Sequence, residues 1–159
     1  MRRKAFTLIE LVIVMAIVAI LSSMFIMSAS ESQRSADVTN IFNNLQNLRI
    51  AALTYYADNV GKNFGRDLTS AVKAYTHDWD NVRNGAHYYV INDATNKVWY
   101  AAYWVREPAA FKQRIHGRAS SLGLLGTNKS INESAVPEAK PGTYNNHNFA
   151  LIKIRSGNK

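Results

Sequence analysis

The segment "KAFTLIELVIVMAIVAIL", residues 4–21, combines a long apolar run with a single acidic side chain. Eleven apolar residues follow one another from Leu11 to Leu21, and Glu10 stands immediately before them. A run of this kind favours a helix that enters a membrane. A charged carboxylate inside a membrane span costs roughly 2.5–3.5 kcal/mol near the centre and less toward the interface. Glu10 therefore needs a compensating partner, which points to a function.

The flanks of this segment allow two ordinary explanations. Residues 2–4 are all basic, and the largely apolar span 6–27 is 22 residues long, which suits a hydrocarbon core of about 30 Å. One explanation is a secretory signal peptide that is cleaved after the small residues 28–30. The other is a plain transmembrane helix, whose basic flank keeps the N-terminus in the cytoplasm. Neither explains Glu10, which lies about 9 Å from the basic flank along a helix.

The order of residues resembles the class III signal of type IV prepilins and of the pseudopilins of type II secretion and competence systems. A basic leader and the small residue Ala5 precede Phe6, and the sequence F-T-L-I-E ends at Glu10. The resemblance implies that a membrane aspartic peptidase, the prepilin peptidase, cuts between Ala5 and Phe6 and then methylates the new amino group. Loss of three basic residues would leave 16 basic against 11 acidic residues, so the formal charge would fall from +8 to +5.

Cleavage would also give Glu10 a partner. The new amino group of Phe6 is positive, and in a stack of subunits the carboxylate of one copy can meet the amine of its neighbour. An unpaired buried charge costs far more than a paired one, so the pair favours a single axial register. The helix dipole near the new N-terminus also favours a negative charge. We therefore predict that Glu10 sets the assembly register; the alternative is a tolerated carboxylate at the membrane interface.

Two positions depart from the family pattern. Ala5 stands where Gly is usual, but it is small, and we still expect cleavage after it. Met27 stands where many pilins have a helix-bending Pro. Without that Pro we expect a straighter helix.

The residues that follow the apolar segment continue a helical pattern. Apolar residues recur at spacings of three and four, as on one face of a helix. They are Val38, Ile41, Leu45, Leu48, Ala52 and Tyr55. Phe42 and Leu53 are expected to widen this stripe. No Gly or Pro occurs before Gly61, so we predict one helix over about 6–58, about 80 Å long. The alternative is two helices that break around 28–35.

Beyond Gly61 the sequence predicts short helices and short strands. The strands are indicated by β-rich runs between turn residues, and the helices by capping residues such as Asp67. The predicted segments are a helix over 67–75, a polar loop over 76–85, a hairpin of strands 87–92 and 97–105, a helix over about 108–120, an exposed segment over 123–148 and a final strand over 148–154. The predicted fold class is therefore α+β, a long N-terminal α-helix packed against a small antiparallel β-sheet. The resemblance implies the same architecture.

The sequence contains no recognisable catalytic motif. Cysteine is absent, which excludes disulfides and thiolate metal sites, and the four histidines lack the spacing of a metal motif. We expect no enzyme and no cofactor. Asp78, Asp80 and Asp93 carry oxygen ligands suited to calcium, which some pseudopilins bind, and are candidates for such a site. The alternative is that these polar loop residues are simply solvated.

The net positive charge and the aromatic residues raise the question of whether the chain binds nucleic acid. The basic residues beyond the first four are scattered singly, which is typical of a solvated surface, so we do not expect nucleic acid as a partner. Trp79, Trp99 and Trp104 could form a stacking platform, but their strand-like context favours packing in a core or between subunits.

These observations predict three regions: residues 1–5 as a leader peptide, 6–30 as the transmembrane and assembly half of the helix, and 31–159 as an extracytoplasmic globular domain. We expect a structural subunit of a type IV pilus or of a type II secretion or competence pseudopilus. It would be stored as a single-pass protein of the inner (cytoplasmic) membrane with its N-terminus in the cytoplasm. It would then be polymerised through its N-terminal helix into a periplasmic or cell-surface filament.

The expected partners follow from that role. They are the prepilin peptidase and methyltransferase, copies of the chain or related pilins, an inner-membrane assembly platform and membrane lipid. Two other functions are compatible with the sequence. One is a minor pilin whose domain binds DNA or a surface ligand, and the other is a plain membrane-anchored domain.

Overall fold

The computed structural model describes residues 7–77, 79–129 and 144–156. Contacts divide the chain into two compact units, Met1–Asp37 and Val38–Lys159. The first helix, α1, extends from Leu8 to Asp58. The prediction of a single long helix is confirmed, because the described residues show no break around 28–35.

In the first unit, α1 exposes its apolar side chains. Its segment Leu8–Ile26 is 19 residues long and apolar enough to cross a membrane, and none of that segment is buried. The exposed fractions of its large apolar side chains range from 51% at Val14 to 82% at Leu8. Such a surface is unfavourable in water and needs lipid or protein around it.

Among the described residues that follow α1, the second unit contains two helices and four strands. They are α2 (Thr69–Lys73), β1 (Tyr88–Asp93), β2 (Val98–Trp104), α3 (Ala109–Leu122), β3 (Leu125–Thr127) and β4 (Phe149–Ser156). The strands form one sheet in the order β1-β2-β4-β3, and each neighbouring pair is antiparallel. The β1–β2 hairpin and the final strand β4 confirm the strands predicted there.

The second half of α1 supplies one wall of the core. The predicted stripe is buried at Val38, Ile41, Leu45, Leu48 and Ala52, and Ala51 is buried beside it. Phe42 packs against the same core. Leu53 does not widen the stripe as predicted, because it is 41% exposed. Five residues after Leu48, it is rotated about 140° around the helix axis.

The sheet carries apolar residues on both faces, as alternation along the strands allows. The face that shares a core with the helices includes Tyr88, Val90, Trp99, Tyr103 and Ile152. The opposite face has its own buried cluster. That cluster consists of Ile91, Val98, Tyr100, Ala102, Leu125, Phe149 and Leu151.

The short helices differ in detail from the prediction. α2 begins at Thr69 rather than at residue 67. The side chain of Asp67 still stabilises the preceding turn, because its Oδ1 accepts a hydrogen bond of 2.8 Å from the backbone N–H of Thr69. The predicted polar loop contains one 3-10 turn, Trp79–Asn81, and a second, Gly85–His87, begins at its last residue, so that β1 starts at Tyr88 rather than at residue 87. α3 ends at Leu122 and is followed by Gly123, whose φ of 65° is left-handed and suits a helix C-terminus.

The prediction that residues 123–148 form an exposed segment is partly wrong. Leu125–Thr127 forms β3, which pairs with β4 so that Leu125 lies opposite Leu151. Leu124, Leu125 and Tyr144 are buried. Three residues are too few to show a strand period, so pairing with β4 decides the conformation. Residues 130–143 of this segment lie outside the described residues.

Candidate functional site

The first turn of α1 is closed by Thr7 and Glu10. Thr7 precedes the helix, and its carbonyl oxygen already accepts a hydrogen bond of 3.3 Å from the N–H of Leu11. The backbone N–H and the hydroxyl of Thr7 both donate to Oε2 of Glu10, at 2.9 and 2.8 Å. In return the N–H of Glu10 donates to Oγ1 of Thr7 at 3.4 Å. This reciprocal arrangement is a capping box.

The capping box compensates part of the cost of the Glu10 carboxylate. A helix start has N–H groups without partners inside the helix, and the carboxylate bonds the N–H of Thr7 there. The positive end of the helix dipole adds to the stabilisation. The favourable dipole was predicted above, whereas the pairing with Thr7 was not. The Thr-x-x-Glu spacing before an apolar run is the signal that identifies such a pair.

The predicted cleavage and methylation residues lie outside the described residues. Ala5 and Phe6, the predicted cleavage and methylation positions, precede Thr7, where the description begins. Glu10 itself is exposed in the single chain. The predicted contact between Glu10 and the amino group of a neighbour's Phe6 therefore stays a prediction.

The calcium candidates have different surroundings. Asp93 is fully buried at the end of β1. Its Oδ1 accepts hydrogen bonds of 3.1 Å from the N–H groups of Thr95 and Asn96, and its Oδ2 accepts one of 2.9 Å from Nδ2 of Asn96. This carboxylate thus shapes the hairpin turn. Asp80 is exposed in the first 3-10 turn, and Asp78 lies outside the described residues. In the described parts of the chain, no group of three or more acidic or histidine side chains is placed to hold a metal ion.

The three tryptophans do not form one platform. Trp99 is 5% exposed and packs against Tyr55, Tyr56 and Phe64 with ring centroids 4.9–6.5 Å away. The prediction of a packing role is confirmed for Trp99. Trp79 is half-buried, edge-on to Tyr88.

Trp104 lies at the other end of β2, on the face of the sheet that points away from Trp99. The guanidinium carbon of Arg106 lies 4.6 Å from the centroid of its ring. Trp79 and Trp99 thus belong to the core that the sheet shares with the helices, whereas Trp104 packs against the cluster on the opposite face.

One hydrogen bond attaches α1 to the sheet at Tyr88, and another holds Tyr103, the residue opposite Tyr88 on β2. Nδ2 of Asn44 donates to the hydroxyl of Tyr88 at 3.0 Å, and the hydroxyl of Tyr103 donates to Oε1 of Glu107 at 2.6 Å. Burial, opposed in part by the bond from Asn44, raises the pKa of Tyr88 to about 12. Burial and the hydrogen bond to Glu107 also raise the pKa of Tyr103. A phenol is neutral near pH 7 even at its ordinary pKa, so both hydroxyl groups keep their protons and can donate.

Comparisons with known proteins bear on the N-terminal segment first. Residues 1–26 match the model of the prokaryotic N-terminal methylation motif. The comparison with curated proteins found no match. Among solved structures, the chain is similar to the major type IV pilin PilA1 from Clostridium difficile, with a TM-score of 0.47 and 15% identity, covering 77% of this chain and 97% of that chain.

The family match includes Ala5, Phe6, Thr7 and Glu10, the residues on which the resemblance to prepilins and pseudopilins rests. That resemblance is thereby confirmed. The chain carries the prokaryotic N-terminal methylation motif of type IV pilins, and the later half of its long N-terminal helix packs against a four-stranded antiparallel sheet.

Proposed function

We propose that this chain is a structural subunit of a type IV pilus or of a type II secretion or competence pseudopilus. One observation carries the proposal: the methylation motif at 1–26 coincides with an apolar helical segment that has no cover in the single chain. The folded unit from Val38 onward has its own core, so the apolar segment is not needed to complete it. A filament subunit requires this combination, because assembly supplies the missing cover.

Processing is the first step of the proposed function. Residues 1–5 act as the leader, and the prepilin peptidase cuts after Ala5 and methylates the amino group of Phe6. The mature chain then consists of the membrane and assembly half, residues 6–30, and an extracytoplasmic domain, residues 31–159. The match at 1–26 supports the proposed leader, since these residues include the proposed cleavage position.

Before assembly the subunit is held in the inner membrane. Leu8–Ile26 spans the bilayer as a helix, and the basic leader, until it is removed, places the N-terminus on the cytoplasmic side. An assembly platform then moves the subunit from lipid into the filament. In the filament, neighbouring copies or related pilins replace lipid around the apolar segment, which ends in the periplasm or at the cell surface. This role is structural and requires no catalysis by the chain.

The geometry of Glu10 suits both the subunit in the membrane and the subunit in the filament. In the membrane, the capping box gives its carboxylate two donors from Thr7, and both bonds end on Oε2. A neighbour's Phe6 amine can therefore approach Oε1 without displacing Thr7. The carboxylate is stabilised before assembly and gains an ionic partner on assembly, which rewards one axial register.

The N-terminus of the mature protein tests the proposal. The full chain would be produced with a prepilin peptidase, and the N-terminal peptide would be analysed by mass spectrometry. We expect the chain to begin at a methylated Phe6. An intact Met1 would support the plain membrane anchor instead, and a start at Glu31 would support a secretory signal peptide. Either result would overturn the proposed function.

A further inference from the structure

The turn that leads into β4 is bracketed by two histidines. Nδ1 of His116, on α3, lies 2.5 Å from the carbonyl oxygen of Tyr144. Nδ1 of His147 accepts a hydrogen bond of 2.9 Å from the backbone N–H of Asn145. The hydroxyl of Tyr144 donates to the carbonyl oxygen of His147 at 2.8 Å. Residues 144–148 are therefore held by bonds to both imidazoles.

The two imidazoles need opposite proton states at Nδ1. A carbonyl oxygen can only accept, so His116 must carry a proton on Nδ1, and it can do so whether neutral or charged. A backbone N–H can only donate, so Nδ1 of His147 must be bare. A charged imidazole has protons on both nitrogens and cannot accept. Protonation of His147 therefore breaks the Asn145 bond, while protonation of His116 leaves its bond intact.

The ring of His147 has little room to turn away. It lies against Gly126, the central residue of β3, where a Cβ atom would come within 2.3 Å of Nδ1 and 2.9 Å of Cγ of His147. The ring of Tyr144 stands edge-on to it with the centroids 5.9 Å apart. A change at His147 is thus passed to Gly126 and to the short strand β3.

The charges around the turn oppose protonation of His147. Lys112, on α3, donates from Nζ to Oδ1 of Asn148 at 2.8 Å. Burial and then the positive charge of Lys112 hold the pKa of His147 below its ordinary value. Among the described residues, His116 on α3 and Tyr144 also titrate beside the turn, and the pKa of Tyr144 is raised by burial and then by Glu107.

We propose that residues 144–148 form an acid-sensitive latch, which holds β3 to β4 while His147 is neutral and releases it when His147 is protonated. The latch is independent of the proposed filament function, because it lies wholly within the unit from Val38 onward. Its stabilising effect is fully present above the unfolded-state pKa of about 6.5. The effect is lost as the pH falls through the lower pKa of the folded state.

Hydrogen exchange on the full chain in detergent micelles tests the latch. The exchange rates of peptides that cover β3 and residues 144–151 would be measured between pH 7.5 and 5. Each rate would be divided by the intrinsic exchange rate at that pH. We expect protection to fall about fivefold across this range, as the loss of one hydrogen bond implies, while the protection of Leu45–Ala52 in α1 stays constant. Uniform loss in both regions, or no loss in either, would overturn the latch.

Two variants separate the histidines. Gln at position 147 offers an oxygen acceptor that does not titrate, so His147→Gln should remove the pH dependence. His116→Gln should keep it. If His147→Gln retains the wild-type pH dependence, the latch is wrong. The wild-type protein provides a measurement that needs no variant: the ¹⁵N shifts of the His147 ring should show a bare Nδ1 and a protonated Nε2 at pH 7.5. A proton on Nδ1 there would overturn the proposal.

Discussion

Thr7 and Glu10 each donate to and accept from the other across the first turn of α1, with the Thr7 hydroxyl 2.8 Å and the Thr7 N–H 2.9 Å from the same carboxylate oxygen. An acidic side chain at the edge of an apolar helix is thus stabilised within its own chain. The pairing also fixes the direction of the carboxylate before any neighbour arrives.

The capping box should stabilise the start of α1. Thr7→Ala removes the hydroxyl that donates to Glu10 and accepts from it, which should cost about 1 kcal/mol locally. Amide exchange of residues 8–11, measured by NMR in micelles, should accelerate about fivefold. Thr7→Ser keeps the hydroxyl and should exchange like the wild type. Equal exchange in all three proteins would show that the box contributes nothing.

The hydrogen bond between Asn44 and Tyr88 should couple α1 to the sheet. Tyr88 is 1% exposed, and its hydroxyl lies 3.0 Å from Nδ2 of Asn44. Tyr88→Phe and Asn44→Ala should each lower the free energy of unfolding by about 1 kcal/mol. The double variant should lose less than the sum of the two, because the second change removes no further bond. Strict additivity in urea unfolding would argue against the coupling.

How deeply a leucine of α1 is buried should decide how much stability is lost when its side chain is shortened to that of alanine. Leu48 is fully buried, whereas Leu53 on the same helix is 41% exposed. Leu48→Ala should lower the free energy of unfolding by about 2–5 kcal/mol, through lost apolar contact and a residual cavity. Leu53→Ala is the matched control and should cost less than about 1 kcal/mol. Similar losses for the two variants would contradict the described packing of α1.

How much of this could be predicted from the sequence depends on the length of each signal. α1 carries a long periodic pattern, and the β1–β2 hairpin has β-rich runs on both sides of turn residues, so the sequence predicts both. β3 has three residues around Gly126, and its pairing with β4 depends on contacts distant in sequence. The burial of Tyr144 depends on the same contacts. At the site, the motif predicted the importance of Glu10, whereas its bonds to Thr7 follow from the helix boundary.

The second unit should fold without the membrane segment. A chain that starts at residue 31 retains every buried residue of the core, which begins at Val38. We expect a soluble monomer with both helical and strand signals in circular dichroism and a single sedimenting species. A disordered spectrum would show that the apolar segment contributes to folding. Persistent oligomers would show that the unit itself carries a strong assembly surface.

The central claim is that the charge of Glu10 serves assembly, and Glu10→Gln tests it most directly. Gln keeps the size of the side chain and an oxygen that can accept from Thr7, so membrane insertion and leader cleavage should be normal. In a filament, the neighbour's Phe6 amine would lose its ionic partner, at a cost on the order of 3–5 kcal/mol for every subunit. Asp58→Asn, the same change at the exposed far end of α1, is the control and should assemble normally.

The measurement is the yield of sheared filaments, counted by electron microscopy and compared with a leader-cleavage blot of the same cells. We predict that Glu10→Gln is cleaved like the wild type and gives few or no filaments. Filaments of normal yield from Glu10→Gln would contradict the account, and Glu10 would then be a carboxylate that the capping box alone explains.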